Sequence, residues 1–121
     1  MIDIIIATLA LALVQIWLLP MSISMHNFAW LLSARDEPVE TTVLQQRVER
    51  AKHNLQESLP VALALFLLAL HQDVDISTTA TYWLGLRIIY VPIYMAGGTY
   101  LRTAAWIGSV VCMVQMAIQL L

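Results

Sequence analysis

Four apolar stretches joined by short polar connections make up most of this chain. Residues 4–34 carry no charge, enough for one tilted membrane span and an extension into the interface; Pro20 is placed to kink it, and Ser22, Ser24, His26 and Asn27 make its second half more polar. A second stretch, from about residue 44 to 71, begins polar and ends in an apolar run. The third covers residues 76–96 and is closed by Gly97-Gly98, a tight-turn signal. The fourth fills residues 103–121 without charge. Two of these stretches reach spanning length only by including their own polar residues: the second needs Asn54 and Glu57, and the third meets Arg87 midway. A spanning helix takes about 20 residues, and a charge in hydrocarbon costs several kcal/mol unless it is paired or faces a wet cavity.

Composition supports this pattern. The 121 residues are 60% hydrophobic and 12% charged, about half the charge share of a soluble domain. The expected class is an all-α membrane protein: a four-transmembrane-helix bundle forming a single domain over residues 1–121. The N-terminus lacks a cationic region and a small-residue cleavage site, so the first helix reads as a retained anchor. No basic block points to nucleic acid. Four of the six basic residues (Arg35, Arg47, Arg50, Lys52) lie between spans one and two, and Arg102 lies between spans three and four. The positive-inside rule then places both connections in the cytoplasm and both termini outside. Tyr82 and Trp83 suit the outer interfacial belt, Trp30 and Trp106 the inner one.

The second stretch carries a polar ladder. Arg47, Arg50, Asn54 and Glu57 are spaced three, four and three apart, within an arc of roughly 80°. Arg87, Tyr90 and Tyr94 repeat the spacing on the third, within about 60°. Counted inward at about 1.5 Å per residue, Glu57 and Tyr90 lie at nearly the same depth, with Arg87 less than a turn away. An intramembrane salt bridge from Glu57 to Arg50 or Arg87 is one reading, since a lone buried pair is often architectural. Against it, Arg47, Arg50, Arg87 and Arg102 outnumber what Glu57 can neutralise. Surplus guanidinium groups suit a small anion bearing several carboxylates, entering from the cytoplasm.

Residues 47–60, read as Arg-x-x-Arg-Ala-x-x-Asn-x-x-Glu with a proline three residues on, resemble the signature of the membrane-associated proteins in eicosanoid and glutathione metabolism, the MAPEG family. Arg87-x-x-Tyr90-x-x-x-Tyr94 followed by Arg102 is similar to that family's second conserved region, and short bacterial members look most like this chain. The resemblance implies a homotrimer in a lipid bilayer, in bacteria the inner membrane, with glutathione as co-substrate between subunits on the cytoplasmic side. Arg47, Arg50, Asn54, Glu57, Arg87, Tyr90 and Tyr94 would hold the tripeptide. Arg102 would stabilise its thiolate, with Arg35 near the thiol. A glutathione transferase or peroxidase acting on a hydrophobic electrophile is the leading expectation. A non-catalytic trimeric scaffold or complex subunit is the alternative. A small proton-coupled exporter is a third reading, weakened because the first span offers only Gln15 where an acidic residue is needed.

The remaining polar residues read more plainly. Cys112, amid Val111, Met113 and Val114, is expected to pack as a buried small hydrophobe. His26, His53 and His71 form no compact metal or haem set, and His53 falls off the ladder's arc. Gln15, Gln115 and Gln119 suit hydrogen bonds between helices. Asp73 and Asp75 suit a solvated outer loop, and the methionines suit packing. Pro60 and Pro92 lie inside helical segments, where they are expected to kink them.

Overall fold

The computed structural model describes residues 1–34 and 40–121, and every regular element among them is helical. The first rod is continuous from Ile2 to Ile23 but is built in three pieces: α1 (Ile2–Leu13), a π-helical turn over Val14–Leu18, and α2 (Leu19–Ile23). Pro20 has no N–H to offer the carbonyl four residues back, and the widened turn falls beside that missing bond. At Ser24 the backbone leaves the helical region (φ −108°, ψ 12°). A 3₁₀ turn, Met25–Asn27, and a single-turn α3, Phe28–Leu31, follow. The polar second half expected of the first stretch is therefore a broken extension rather than more of the same helix.

α4 (Val43–Gln72) starts from a complete capping box. The Thr42 hydroxyl accepts the Gln45 N–H at 3.1 Å, and Gln45 Oε1 accepts the Thr42 N–H at 2.6 Å. The same Gln45 side chain donates from Nε2 to Ser24 Oγ at 3.0 Å, tying the start of α4 to the break in the first rod. The helix runs on through Pro60 and stops at Asp73, which takes the left-handed conformation (φ 56°). Val74 N–H bonds to Ala69 O and Asp73 N–H to Leu70 O, the paired bonds of a Schellman ending. Before α5 (Ser77–Met95), the exposed Asp75 carboxylate accepts the N–H and hydroxyl of Ser77. Those two bonds hold its carboxyl below the usual range. α5 runs through Pro92 and ends in a second Schellman motif: Gly98 N–H to Ile93 O, Gly97 N–H to Tyr94 O, with Gly97 at φ 82°. The turn expected at Gly97-Gly98 is thus this motif, and α6 (Tyr100–Leu120) follows it.

Among the described residues three helices are long and apolar enough to cross a membrane: the Ile2–Ile23 rod, α4 and α6. α5 has 19 residues but is not in that set, because Ser77, Thr78, Thr79, Thr81 and Arg87 dilute its apolar content. α5 packs along α6, α4 lies against both, and the first rod lies against α4 and α5. Gly108 lets α5 and α6 approach closely, since a Cβ there would stand 2.9 Å from Leu86 Cδ1. One core gathers Ala62, Phe66, Ala69, Ile76, Ala80, Trp83, Leu84 and Met116.

Two expectations are corrected here. Trp83 is not interfacial: it is fully buried and meets Phe66 edge-on at 5.7 Å, while its neighbour Tyr82, 67% exposed, keeps the outward position. Successive helical residues differ by about 100° in direction, so one of two adjacent aromatics turned inward. Cys112 is half-buried at the edge of this core rather than enclosed. Leu13, Trp17, Leu67, Val111 and Ile118 face outward, an apolar exterior that suits lipid.

Candidate functional site

Asn54, Arg87, Tyr90, Tyr94 and Arg102 come together where α4, α5 and the start of α6 meet. Arg87 anchors the group. It is 1% exposed, and its Nη1 donates to Asn54 Oδ1 at 2.6 Å. Its guanidinium lies over the Tyr90 ring, 4.8 Å from the centroid. Tyr90 meets Tyr94 edge-on at 5.5 Å, and Arg102 lies over Tyr94 at 4.7 Å. The order is cation, ring, ring, cation, set by the spacing of three and four residues along α5. The aromatic faces offer negative quadrupole to both guanidinium groups, which stabilises each cation without neutralising it.

Burial decreases along this row. Arg87 and Tyr90 are buried, Asn54, Tyr94 and Arg102 are half-buried, and Glu57 is exposed. Glu57 and Arg102 both lie within Coulombic range of Tyr90, so they belong to the same neighbourhood. Ala51 and Ala105 pack against Tyr90, which explains why a small residue follows Arg50 in the ladder. Ala51 also receives a bond from the first rod: Gln15, fully buried within the π turn, donates from Nε2 to Ala51 O at 2.8 Å. The interhelical bond expected of Gln15 is therefore present. Thr79 Oγ1 reaches Gln119 Oε1 at 3.5 Å, linking α5 to α6, while Gln115 faces outward.

The ladder on α4 divides. At about 100° per residue, Arg47 and Asn54 differ by only about 20°, and so do Arg50 and Glu57, but the two pairs are offset by about 60°. The first pair turns to α5. Arg47 Nη1 donates to Met95 O at 3.2 Å, and its guanidinium lies where a Cβ on Gly97 would clash. It thus sits at the carbonyl end of α5, where the helix dipole favours a cation. The second pair is exposed; Arg50 Nε donates back to Gln46 O on its own helix at 3.3 Å. Among the described residues no ion pair runs from Glu57 to Arg50 or Arg87, so the salt-bridge alternative is not realised there. Glu49 instead pairs with Lys52 at 2.8 Å and His53 at 3.2 Å. Arg35 lies outside the described residues. Among the described residues no cluster of His, Cys, Asp and Glu could hold a metal ion.

Arg87 Nε and Nη2 are buried without a hydrogen-bond partner among the described residues. A buried cation with two unused donors and no carboxylate is an unusual and costly arrangement. Gln45 was missed in the sequence, although Thr42-x-x-Gln45 is a capping-box pattern that could have revealed it. A cleft of about 790 Å³ also opens between the first rod and α4, its lining passing from Trp17, Pro20 and Met21 to Asn27, Gln46 and Arg50.

Neither the curated proteins nor the solved structures contain a match to this chain. The MAPEG family model matches residues 4–121. That match spans nearly the whole sequence and includes both the α4 ladder and the α5 row, so the chain is an integral membrane protein belonging to the MAPEG family.

Proposed function

We propose that this chain is the subunit of a membrane-bound, glutathione-dependent transferase or peroxidase, a homotrimer of four-span subunits in a bacterial inner membrane with its site facing the cytoplasm. Family membership supports a glutathione-related membrane function in general. The observation that carries the finer reading is Arg87: a buried guanidinium with two free N–H donors beside Tyr90, Tyr94 and Arg102. Such a site suits a ligand bearing carboxylates. In this reading Asn54, Glu57 and the tyrosines hold the tripeptide's polar ends, and Arg50 and Arg47 border it from α4.

The nucleophile would be the bound thiol. Only the thiolate attacks, and a free thiol has a pKa near 8.5. Lowering it by two units takes roughly 2.7 kcal/mol, within reach of one close guanidinium in a poorly hydrated site. Arg102, third residue of α6, is the candidate, and the N-terminal end of that helix adds to the positive potential. In conjugation the thiolate forms a carbon–sulfur bond and the leaving group departs with its electron pair. In reduction two thiols become a disulfide while a peroxide becomes alcohol and water. An apolar electrophile would approach laterally from lipid.

Calorimetric titration of the purified protein with glutathione, together with conjugation to an aromatic electrophile, tests the reading. Binding should be measurable, and Arg102→Ala should remove at least nine-tenths of turnover while binding persists. Absence of glutathione binding in an intact oligomer would reject it. The second reading, a non-catalytic scaffold, draws on Arg47, whose bond to the end of α5 gives a motif residue an architectural task. Under it, Arg47 and Asn54 variants lose assembly with no ligand-dependent effect.

A further inference from the structure

The carbonyls that close α5 account for Arg47. The Schellman bonds occupy Ile93 O and Tyr94 O, and Pro92 O takes the Ala96 N–H. Met95 O is the acceptor those bonds leave, and Arg47 Nη1 donates to it from α4 at 3.2 Å. A carbonyl at a helix end needs such a partner. The rest of the guanidinium lies across Gly97, where a Cβ would stand 2.9, 3.0 and 3.2 Å from Nη2, Cζ and Nη1. Three near-equal distances lay the plane flat on the glycine. The turn beyond is thinly held: Thr99 begins α6 with no side-chain cap bond, and Tyr100 and Leu101 are 91% and 69% exposed. Arg102 follows Gly97 by five residues and rests on the Tyr94 ring. A ring face holds a cation without fixing where its N–H groups point, so their aim depends on how the turn is set.

We infer that Arg47 is a positioning residue: it holds the turn over residues 97–102 against α4 and so sets the place from which Arg102 acts on the bound thiol. This rests on the glutathione reading and moves Arg47 from the ligand to the backbone that carries the thiolate-stabilising cation. A misplacement of about 1 Å in such a site can cost roughly 10²-fold in rate. Lysine would do only part of this work. Its ammonium could still donate to Met95 O, but it has no plane with which to cover Gly97.

The experiment follows conjugation of glutathione to an aromatic electrophile against pH, with glutathione affinity by calorimetry and thermal unfolding, for the purified wild-type oligomer, Arg47→Met, Arg47→Lys and Gly97→Ala. Arg47→Met removes the bond and the cover together. Gly97→Ala disturbs the same contact from the turn's side and leaves Arg47 in place. In both, the rising limb of the rate should move to higher pH, with the thiolate fraction near neutrality down by about tenfold. Glutathione affinity should change far less. Arg47→Lys should lie between Arg47→Met and wild type. A purely structural Arg47 would lower the unfolding temperature and leave the pH profile where it is. Where Arg47→Met does not fold, Gly97→Ala decides. The inference is overturned if the folded variants keep the wild-type profile, or if neither Arg47→Met nor Gly97→Ala folds. It is equally overturned if affinity falls by about tenfold or more with the profile unmoved, which would make Arg47 a ligand residue. A wild-type profile that follows the free thiol would show that Arg102 lowers nothing, and ends the inference while glutathione binding stands. If wild-type protein does not bind glutathione, that reading itself falls and takes the inference with it.

Discussion

The Phe66–Trp83 cluster and the Asn54–Arg87–Tyr90 cluster are built from the same helices and solve burial in opposite ways. The first is apolar, with Phe66 edge-on to Trp83 over Ala62, Ala69 and Ala80 and with Met116 from α6. Its stability comes from close contact, and its small residues let the helices approach. The second encloses a guanidinium whose one hydrogen bond among the described residues goes to Asn54, with Nε and Nη2 left over. The apolar cluster beside it is small: Ala51, Tyr90 and Ala105, with Tyr94 at the edge. A region that maximises packing has little reason to leave donors unused. The comparison therefore singles out the polar cluster, and not the better-packed one, as the candidate site.

The sharpest way to break the comparison is Asn54→Leu. It should leave the buried Arg87 cation without that hydrogen-bond partner and destabilise the protein by about 3 kcal/mol, the cost of an unmet bond to a charged group. Asn54→Leu with Arg87→Leu should recover most of that loss, since an apolar pair needs no partner. Denaturant titration in detergent, followed by helical circular dichroism, checks both. Phe66→Ala should cost about 3 kcal/mol through the cavity it leaves, and no second apolar truncation should restore it. Recovery by a double substitution in the apolar cluster, or its absence in the polar one, would erase the distinction.

Smaller effects sharpen the border of the polar cluster. Gly97→Ala should cost about 1–2 kcal/mol, since φ is 82° there and the new Cβ would stand 2.9 Å from the Arg47 guanidinium. The unfolding midpoint should fall accordingly, and substitution of Arg47 as well should relieve only the contact part. The smallest effect is expected at Asp75, outside both clusters. Its carboxyl is held below the usual range by Ser77, so its contribution is present above the unfolded value near 3.8 and fades as pH falls through the lowered folded value. Asp75→Asn should flatten that acid limb by lowering stability slightly at neutral pH, where the carboxylate contributes, and leaving it unchanged below the folded value.

Much of this was legible beforehand because membrane helices declare themselves through long apolar runs. Expected segments of residues 44–71, 76–96 and 103–121 correspond to Val43–Gln72, Ser77–Met95 and Tyr100–Leu120. The row from Arg87 through Tyr94 was also legible, since spacings of three and four place residues on one face of any helix. The ladder on α4 was legible as a stripe but not as two half-stripes. An arc of about 80° is wide enough to straddle the edge between a neighbouring helix and the exterior, and only packing decides where that edge falls. Asn54 therefore meets Arg87, and Glu57, which one reading made the counter-ion of Arg50 or Arg87, stays exposed. Trp83 escaped for a related reason: aromatic identity suggests an interface, but the helix face it occupies is set by Phe66 across from it.

The π turn at Val14–Leu18 carries one residue more than regular winding would use. Thr8 lies inward on the N-terminal side of the turn, and Gln15 lies inward within it. Deleting one residue from within this turn would restore ordinary winding and leave the N-terminal half facing as it does, because the widened turn takes up the extra residue locally. Deleting one residue between Thr8 and the turn would instead swing the N-terminal end of the rod by about 100°. Thr8 would then point away from its neighbours and an aliphatic side chain would enter its place.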